Sequence, residues 1–396
     1  MSNRILFFYP ENPLEKNAGN KTRVLSLLHY FKSKDFFVEF VTIDGWGTFW
    51  ENKTLEEFKT SGLINSLHVI KRKPLKKNLI HYFFTYKIFH LLFELRKASR
   101  NQISDPLTWY SRKCFFNYLN SKSNFDYILI SYAYWAEFIE NCPNLKGTKT
   151  IVDTHDLLTA QNKNKKGFQL GNTFEEEIRR LNLFDEIWAI SPDEQYIFSQ
   201  FCSNITRLVP PIFESPNIAS HNSEKKDIDI IYVASDNPHN LKAAKWFFSQ
   251  VYPLLNKDIN ITVIGKITQY IGETSNVTKV SFSESLESYY ERSKIAICPM
   301  LSGTGVKIKV IEALSFGLPV VCNTRGIDGI PNKLNNGCLV SDDKEQFAKH
   351  IIKLLSNNEA YTKQQRLGLS IFNLFYSKES IYPILDKTFR INQQEK

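Results

Sequence analysis

The chain has 396 residues, 42% of them hydrophobic, and a formal charge of +9. That is enough apolar material for two ordinary domains, each burying its own core, and an unusually long chain for one. The charge is concentrated: residues 68–123 carry twelve Lys/Arg against Glu94 and Asp105, a local +10 that leaves −1 for everything else. A single basic island on a neutral protein excludes a general polyanion-binding surface. With no recognition motif beside it, nucleic acid is not an expected partner.

The N-terminal run Ile5–Tyr9 is too short for a signal peptide or a membrane span and reads as a buried strand. Similar apolar runs follow at Val38–Ile43, Tyr127–Ser131, Thr150–Asp153, Glu186–Ile190, Ile228–Ala234, Ile261–Gly265, Ala296–Pro299 and Val320–Cys322, separated by helix-length amphipathic segments. Strands apolar on both faces that alternate with helices predict parallel sheets covered by helices, hence an α/β chain of two doubly wound domains.

Several junctions in this series have residues suited to chemistry. After the first strand, Asn17–Arg23 places Gly19 in a turn whose N–H groups can approach a ligand. Arg23 follows one turn into a helix expected to begin near Lys21. An ordinary turn fits the same residues. Next comes the basic island, where Leu79–Arg100 is apolar round most of a helix with Lys87, His90, Glu94 and Lys97 on one narrow stripe. Such a segment can lie in the headgroup layer of an anionic bilayer, or pack inside its domain with basic loops in water. At the end of Thr150–Asp153, His155 stands between Asp153 and Asp156, positioned either to hydrogen-bond a substrate or simply to make a surface turn.

Residues 207–226, rich in Pro, Ser and Asn, predict the boundary between domains. Beyond it, NPHNLKAAKWF follows a strand, so that Asn240 is read as a helix cap and Lys242 as facing a ligand at the strand's carboxyl end. The strongest signal is Pro299–Ile330. Gly303 and Gly305 let the backbone approach a phosphate, and a helix expected from about Val306 to Phe316 points its free N–H groups and positive dipole end there. Lys307 and Lys309 add charge, and Glu312 offers a carboxylate to paired hydroxyls. A sugar nucleotide presents both kinds of group. The six scattered cysteines, without metal-ligand spacing, read as reduced core thiols of a cytosolic protein.

The order G-T-G-x-K-x-K-x-x-E-A-L…G-x-P-V-V from Gly303, with NPHNLKAAKWF about sixty residues upstream, resembles the C-terminal half of family 4 retaining glycosyltransferases of the GT-B fold. The resemblance implies two Rossmann-like doubly wound domains facing across a cleft. These would be an acceptor-side domain at 1–212, a nucleotide-sugar-binding domain at 213–374, and a return helix at 375–396 packing on the first. It further implies that Glu312 is the second glutamate of an E-x7-E motif and holds the donor ribose. The first glutamate would stand at Thr304 and is absent. Asn17–Arg23 resembles the family's glycine loop that leads to an arginine, with Asn20 for the second glycine.

The implied donor set is Gly19, Arg23, Asn240, Lys242, Gly303, Thr304, Gly305, Val306, Lys307 and Glu312, with His155, Lys307 and Glu312 at the chemistry. The implied reaction is front-face transfer from a UDP- or GDP-linked sugar to a glycan or lipid-linked acceptor in cell-surface glycan synthesis, with no cofactor and no metal. The protein would be cytoplasmic, with residues 71–113 meeting the anionic inner face of the membrane. A nucleotide-sugar 2-epimerase on the same fold, or a non-catalytic GT-B subunit that binds a partner or glycan, remain open alternatives.

Overall fold

The computed structural model describes residues 3–15, 18–46, 50–98, 103–122, 124–142, 145–216 and 226–391. It divides into two compact units, Met1–Val209 and Pro210–Lys396.

The first unit is built on a sheet of β1 (Arg4–Phe8), β2 (Phe37–Ile43), β3 (Ser66–Ile70), β4 (Tyr127–Ser131), β5 (Lys149–Asp153), β6 (Glu186–Ala189) and β7 (Ile205–Leu208). Their order is β3-β2-β1-β4-β5-β6-β7, with every pairing parallel. The central strands are buried on both faces because helices cover both, which is why their sequences are almost uninterruptedly apolar. On one side Phe8 packs with Trp135 and Phe138 at ring distances of 5.1 and 4.9 Å. On the other, Phe7 meets Phe31 of helix Gly19–Ser33.

The second unit repeats the plan with β8 (Ile228–Val233), β9 (Ile261–Ile264), β10 (Val277–Val280), β11 (Ser293–Cys298), β12 (Val320–Cys322) and β13 (Cys338–Val340). The order is β10-β9-β8-β11-β12-β13, again wholly parallel. In each sheet the strand order reverses beside the first strand, between β1 and β4 and between β8 and β11. Such switch points open a crevice at the carboxyl ends of the strands.

The chain leaving the first unit is fastened to the second at once. Phe213 N–H donates to the Tyr376 carbonyl (2.8 Å) and Lys378 N–H to the Phe213 carbonyl (3.0 Å). From there helix Lys378–Thr388 runs, capped by Ser377 and packed on helix Asn358–Phe375 of the same unit.

One glycine is dictated by close approach. Gly265, just past β9, has φ +111°, and a Cβ there would stand 2.3 Å from the Ala234 carbonyl oxygen at the end of β8. Gly265→Ala is therefore expected to destabilise the second unit by about 1–3 kcal/mol from backbone strain alone, with more from the clash. A lowered urea midpoint would register it, and an unchanged one would contradict the geometry.

Candidate functional site

At the switch point of the second unit, the segments leaving β8 and β11 meet. The first begins helix Pro238–Trp246, whose N-cap is Asn237: its side chain accepts from Asn240 N–H (2.9 Å). This corrects the expectation that Asn240 caps. Pro238 fixes the first helical residue, so the residue before it takes the extended cap conformation and Asn240 falls inside the first turn. Asn240 is instead buried and spent on two side chains: its Nδ2 donates to Ser235 Oγ (3.0 Å), and its Oδ1 accepts from Lys309 Nζ (2.9 Å). Lys242 is exposed on the same helix.

The segment leaving β11 keeps its loop form longer than expected. Its helix is Ile308–Ser315, so Val306 and Lys307 belong to the loop. Gly303 and Gly305 lie at φ +100° and +76°, and Lys307, in extended backbone, turns its ammonium back onto the carbonyls of Thr304 (3.1 Å) and Gly305 (2.6 Å). Lys307 is buried, so in this state it ties the loop together. No side chain caps the helix it precedes. Gly303 lies against the His239 ring, whose Nδ1 is 2.9 Å from Ser302 Oγ. Thr304 is half-buried in the same loop.

At the second residue of the helix, Lys309 sits 5.8 Å above the Tyr232 ring, and Glu312, three residues on, shares its face. Burial lowers the Lys309 ammonium pKa. Burial also pushes the Glu312 carboxyl up to about 7, against the opposing pull of Tyr290, whose hydroxyl donates to Oε2 at 3.3 Å, and of Lys309. Glycine-loop amides, an uncapped helix start, a buried ammonium and a carboxylate near its own titration point are thus gathered within one crevice. The set suits a phosphorylated ligand that also carries hydroxyls.

The strand ends of the first unit gather a second polar cluster. Arg23 reaches from helix Gly19–Ser33 to Asp153 at the end of β5, with Nε at 3.0 and 2.9 Å from the two carboxylate oxygens and Nη2 at 2.7 Å from Oδ1. Burial works to raise the Asp153 carboxyl, but Arg23 and then His155 overcome it and hold the group well below the carboxylate range. His155 Nε2 is 3.1 Å from Asp153 Oδ2, and its ring stacks on Tyr132 at 4.1 Å. Tyr132 in turn accepts from Asn20 Nδ2 (2.8 Å). Both His155 and Tyr132 sit at positive φ, +60° and +68°, strain of the sort found where a side chain must be aimed. Among the described residues, Tyr9 Oη, Ser131 Oγ and Arg23 Nη1 are buried without a hydrogen-bond partner.

Gly19 is not the turn expected of it. It is the first residue of the helix at an ordinary φ, and the chain turns at Ala18; Asn17 lies outside the described residues. Sequence reasoning counted Lys309 only as added charge and passed over His239 and Tyr132. Lys309 was recoverable from its three-residue spacing to Glu312, whereas the aim of Tyr132 depends on a backbone conformation that composition does not disclose.

Residues 227–357 match the family model described as glycosyl transferases group 1. The match lies within the second unit and covers about a third of the chain. A Klebsiella pneumoniae relative, described as an uncharacterized 44.6 kDa protein in the cps region, is 30% identical over 135 residues, which span 30% of this chain and 35% of the relative. Among solved structures, sucrose-phosphate synthase from Thermosynechococcus elongatus aligns over 98% of both chains at 14% identity and a TM-score of 0.64. Anabaena HepE in complex with UDP aligns over 98% of this chain and 99% of its own at 12% identity and 0.66. A variant of S. aureus TarM, in complex with fondaparinux, α-GlcNAc-glycerol and UDP, aligns over the same shares at 12% and 0.66. The fold is GT-B, two Rossmann-like units, as the resemblance implied.

Proposed function

We propose that the chain is a retaining, metal-independent glycosyltransferase that moves a sugar from a UDP- or GDP-linked donor to a hydroxyl acceptor in cell-surface glycan synthesis. The observation that carries this reading is the convergence of Asn240, the Gly303–Gly305 loop, Lys309 and Glu312 at the β8/β11 switch point, inside the segment that matches the family. The diphosphate rests on the loop amides and the start of helix Ile308–Ser315, with Lys309 supplying charge through Asn240 and Lys307 holding the loop in shape. Glu312 takes the ribose hydroxyls.

In the first unit, His155, aimed by Asp153 and Tyr132, is the polar group offered to the acceptor. The leaving phosphate oxygen takes the acceptor proton as the glycosidic bond forms on the same face, and the loop amides stabilise the charge that develops. HepE, solved with UDP and with UDP-glucose, supports the donor class, and the cps-region relative supports the glycan setting.

Calorimetry with UDP and GDP, followed by nucleotide release from a panel of nucleotide sugars with and without EDTA, tests the reading. Micromolar binding of one nucleotide and slow EDTA-insensitive hydrolysis of its sugar are expected. Absence of binding to either would overturn it. Thr304, standing where the family's first glutamate belongs, favours a second reading as a non-catalytic binding subunit, which would bind nucleotide or glycan yet release none.

A further inference from the structure

The basic segment turns its broad apolar side outward. Leu79–Tyr82, a π-turn at Phe83–Lys87, and Ile88–Ala98 form one continuous helical rod. A helix on a globular surface turns its apolar side inward. Here Lys97 of the polar stripe turns inward, while Lys87 stays exposed and His90 and Glu94 lie between. Lys97 is buried, donating to the carbonyls of Leu107 (2.6 Å) and Asp105 (3.1 Å) and lying 3.4 Å from Glu94, while His90 stacks on Tyr86. Among the described residues of the rod, Tyr82, Tyr86 and Phe93 are buried with Lys97. Leu79, Ile80, Phe83, Phe84, Leu91 and Leu95 point outward and keep 51–75% of their surface exposed. The rod thus packs on its unit through one narrow side and leaves the broad apolar side uncovered.

We propose that this face docks on an anionic lipid bilayer, the rod lying in the plane of the headgroups with its exposed leucines and phenylalanines among the upper acyl carbons. Charge complementarity selects that occupant. Lys71, Lys73, Lys76 and Lys77 lead into the rod, Lys87 stands within it and Lys113 lies beside it over Trp109, all of them exposed. Two copies packed through the same face would bring these lysines against one another, whereas anionic headgroups neutralise them. No described helix is long and apolar enough to cross a membrane, so the contact is with one leaflet. The inference stands apart from the nucleotide site.

Flotation of the full chain with vesicles of phosphatidylcholine and phosphatidylglycerol, against phosphatidylcholine alone, tests it. The wild type is expected to float with the anionic vesicles and to fall off as salt rises. Ile80, Phe84, Leu91 and Leu95 changed together to Ser should abolish flotation. Lys71, Lys73, Lys76 and Lys77 changed to Glu should lower it at least about a hundredfold. Equal flotation of wild type and the serine variant, or no flotation of the wild type, overturns the proposal. So does a serine variant that converts a dimer to a monomer in light scattering while floating unchanged, since the face would then bind a second copy. Nucleotide binding in solution should be the same in all three proteins, which separates failure here from failure of the nucleotide reading.

Discussion

Glu312→Ala is expected to weaken binding of the cognate nucleoside diphosphate roughly a hundredfold or more by calorimetry. A carboxylate that accepts from two ribose hydroxyls makes two charge-assisted hydrogen bonds, each worth about 1.5–3 kcal/mol, and a tenfold change in affinity corresponds to about 1.4 kcal/mol. The same residue sets a pH dependence. Burial raises its carboxyl to about 7, and only the ionised form can accept from both hydroxyls, so wild-type affinity should fall as pH drops below about 7. In Glu312→Gln that slope should vanish.

Stability should move the other way. A carboxyl whose folded pKa lies above its unfolded value near 4.3 stabilises most below that unfolded value and loses the contribution as pH rises through about 7. Above pH 7, Glu312→Gln should therefore be more stable than wild type, on the order of 1 kcal/mol after allowance for partial solvent screening. A variant that is less stable and yet binds nucleotide normally would remove Glu312 from the site.

Asp153→Ala is the largest expected loss of stability, about 3–5 kcal/mol, because it strands the Arg23 guanidinium in the interior without its counter-charge. Tryptophan fluorescence in urea reports this well, since five of the six tryptophans (Trp46, Trp50, Trp109, Trp135 and Trp188) belong to the first unit. Asp153→Asn keeps the shape and an acceptor and should lose less. Because the folded carboxyl is depressed, its contribution is present above about pH 3.9 and disappears as pH falls from there toward the folded value. The acid limb of the wild-type stability profile should flatten in both variants. A difference of less than about 1 kcal/mol between Asp153→Ala and wild type would mean that the pair is not buried as described.

The interior of both sheets was legible in the sequence, their margins were not. The runs at Tyr127–Ser131 and Val320–Cys322 coincide with β4 and β12, because a strand covered on both sides must be apolar at nearly every position. The four strands that went unforeseen, β3, β7, β10 and β13, are all edge strands. Ile205–Leu208 has no fully buried residue and Val277–Val280 only one, so neither makes an apolar run. Missing β7 also led the last strand of the first unit to be placed at Glu186–Ile190. At the candidate site, the glycines marked a loop that the structure places at the β8/β11 switch point, but not which ammonium lies where. Lys307 and Lys309 look alike in sequence. Only the fold assigns one to its own loop's carbonyls and the other to Asn240.

That last contact, with the His239–Ser302 pairing beside it, bolts together two stretches of backbone some sixty residues apart. Neither can shift alone without breaking a bond held by a half-dehydrated ammonium or an imidazole. A ligand that tugs on the glycine loop therefore drags the start of helix Pro238–Trp246 with it. The crevice should respond to occupancy as a single stiff jaw rather than as two independent fingers.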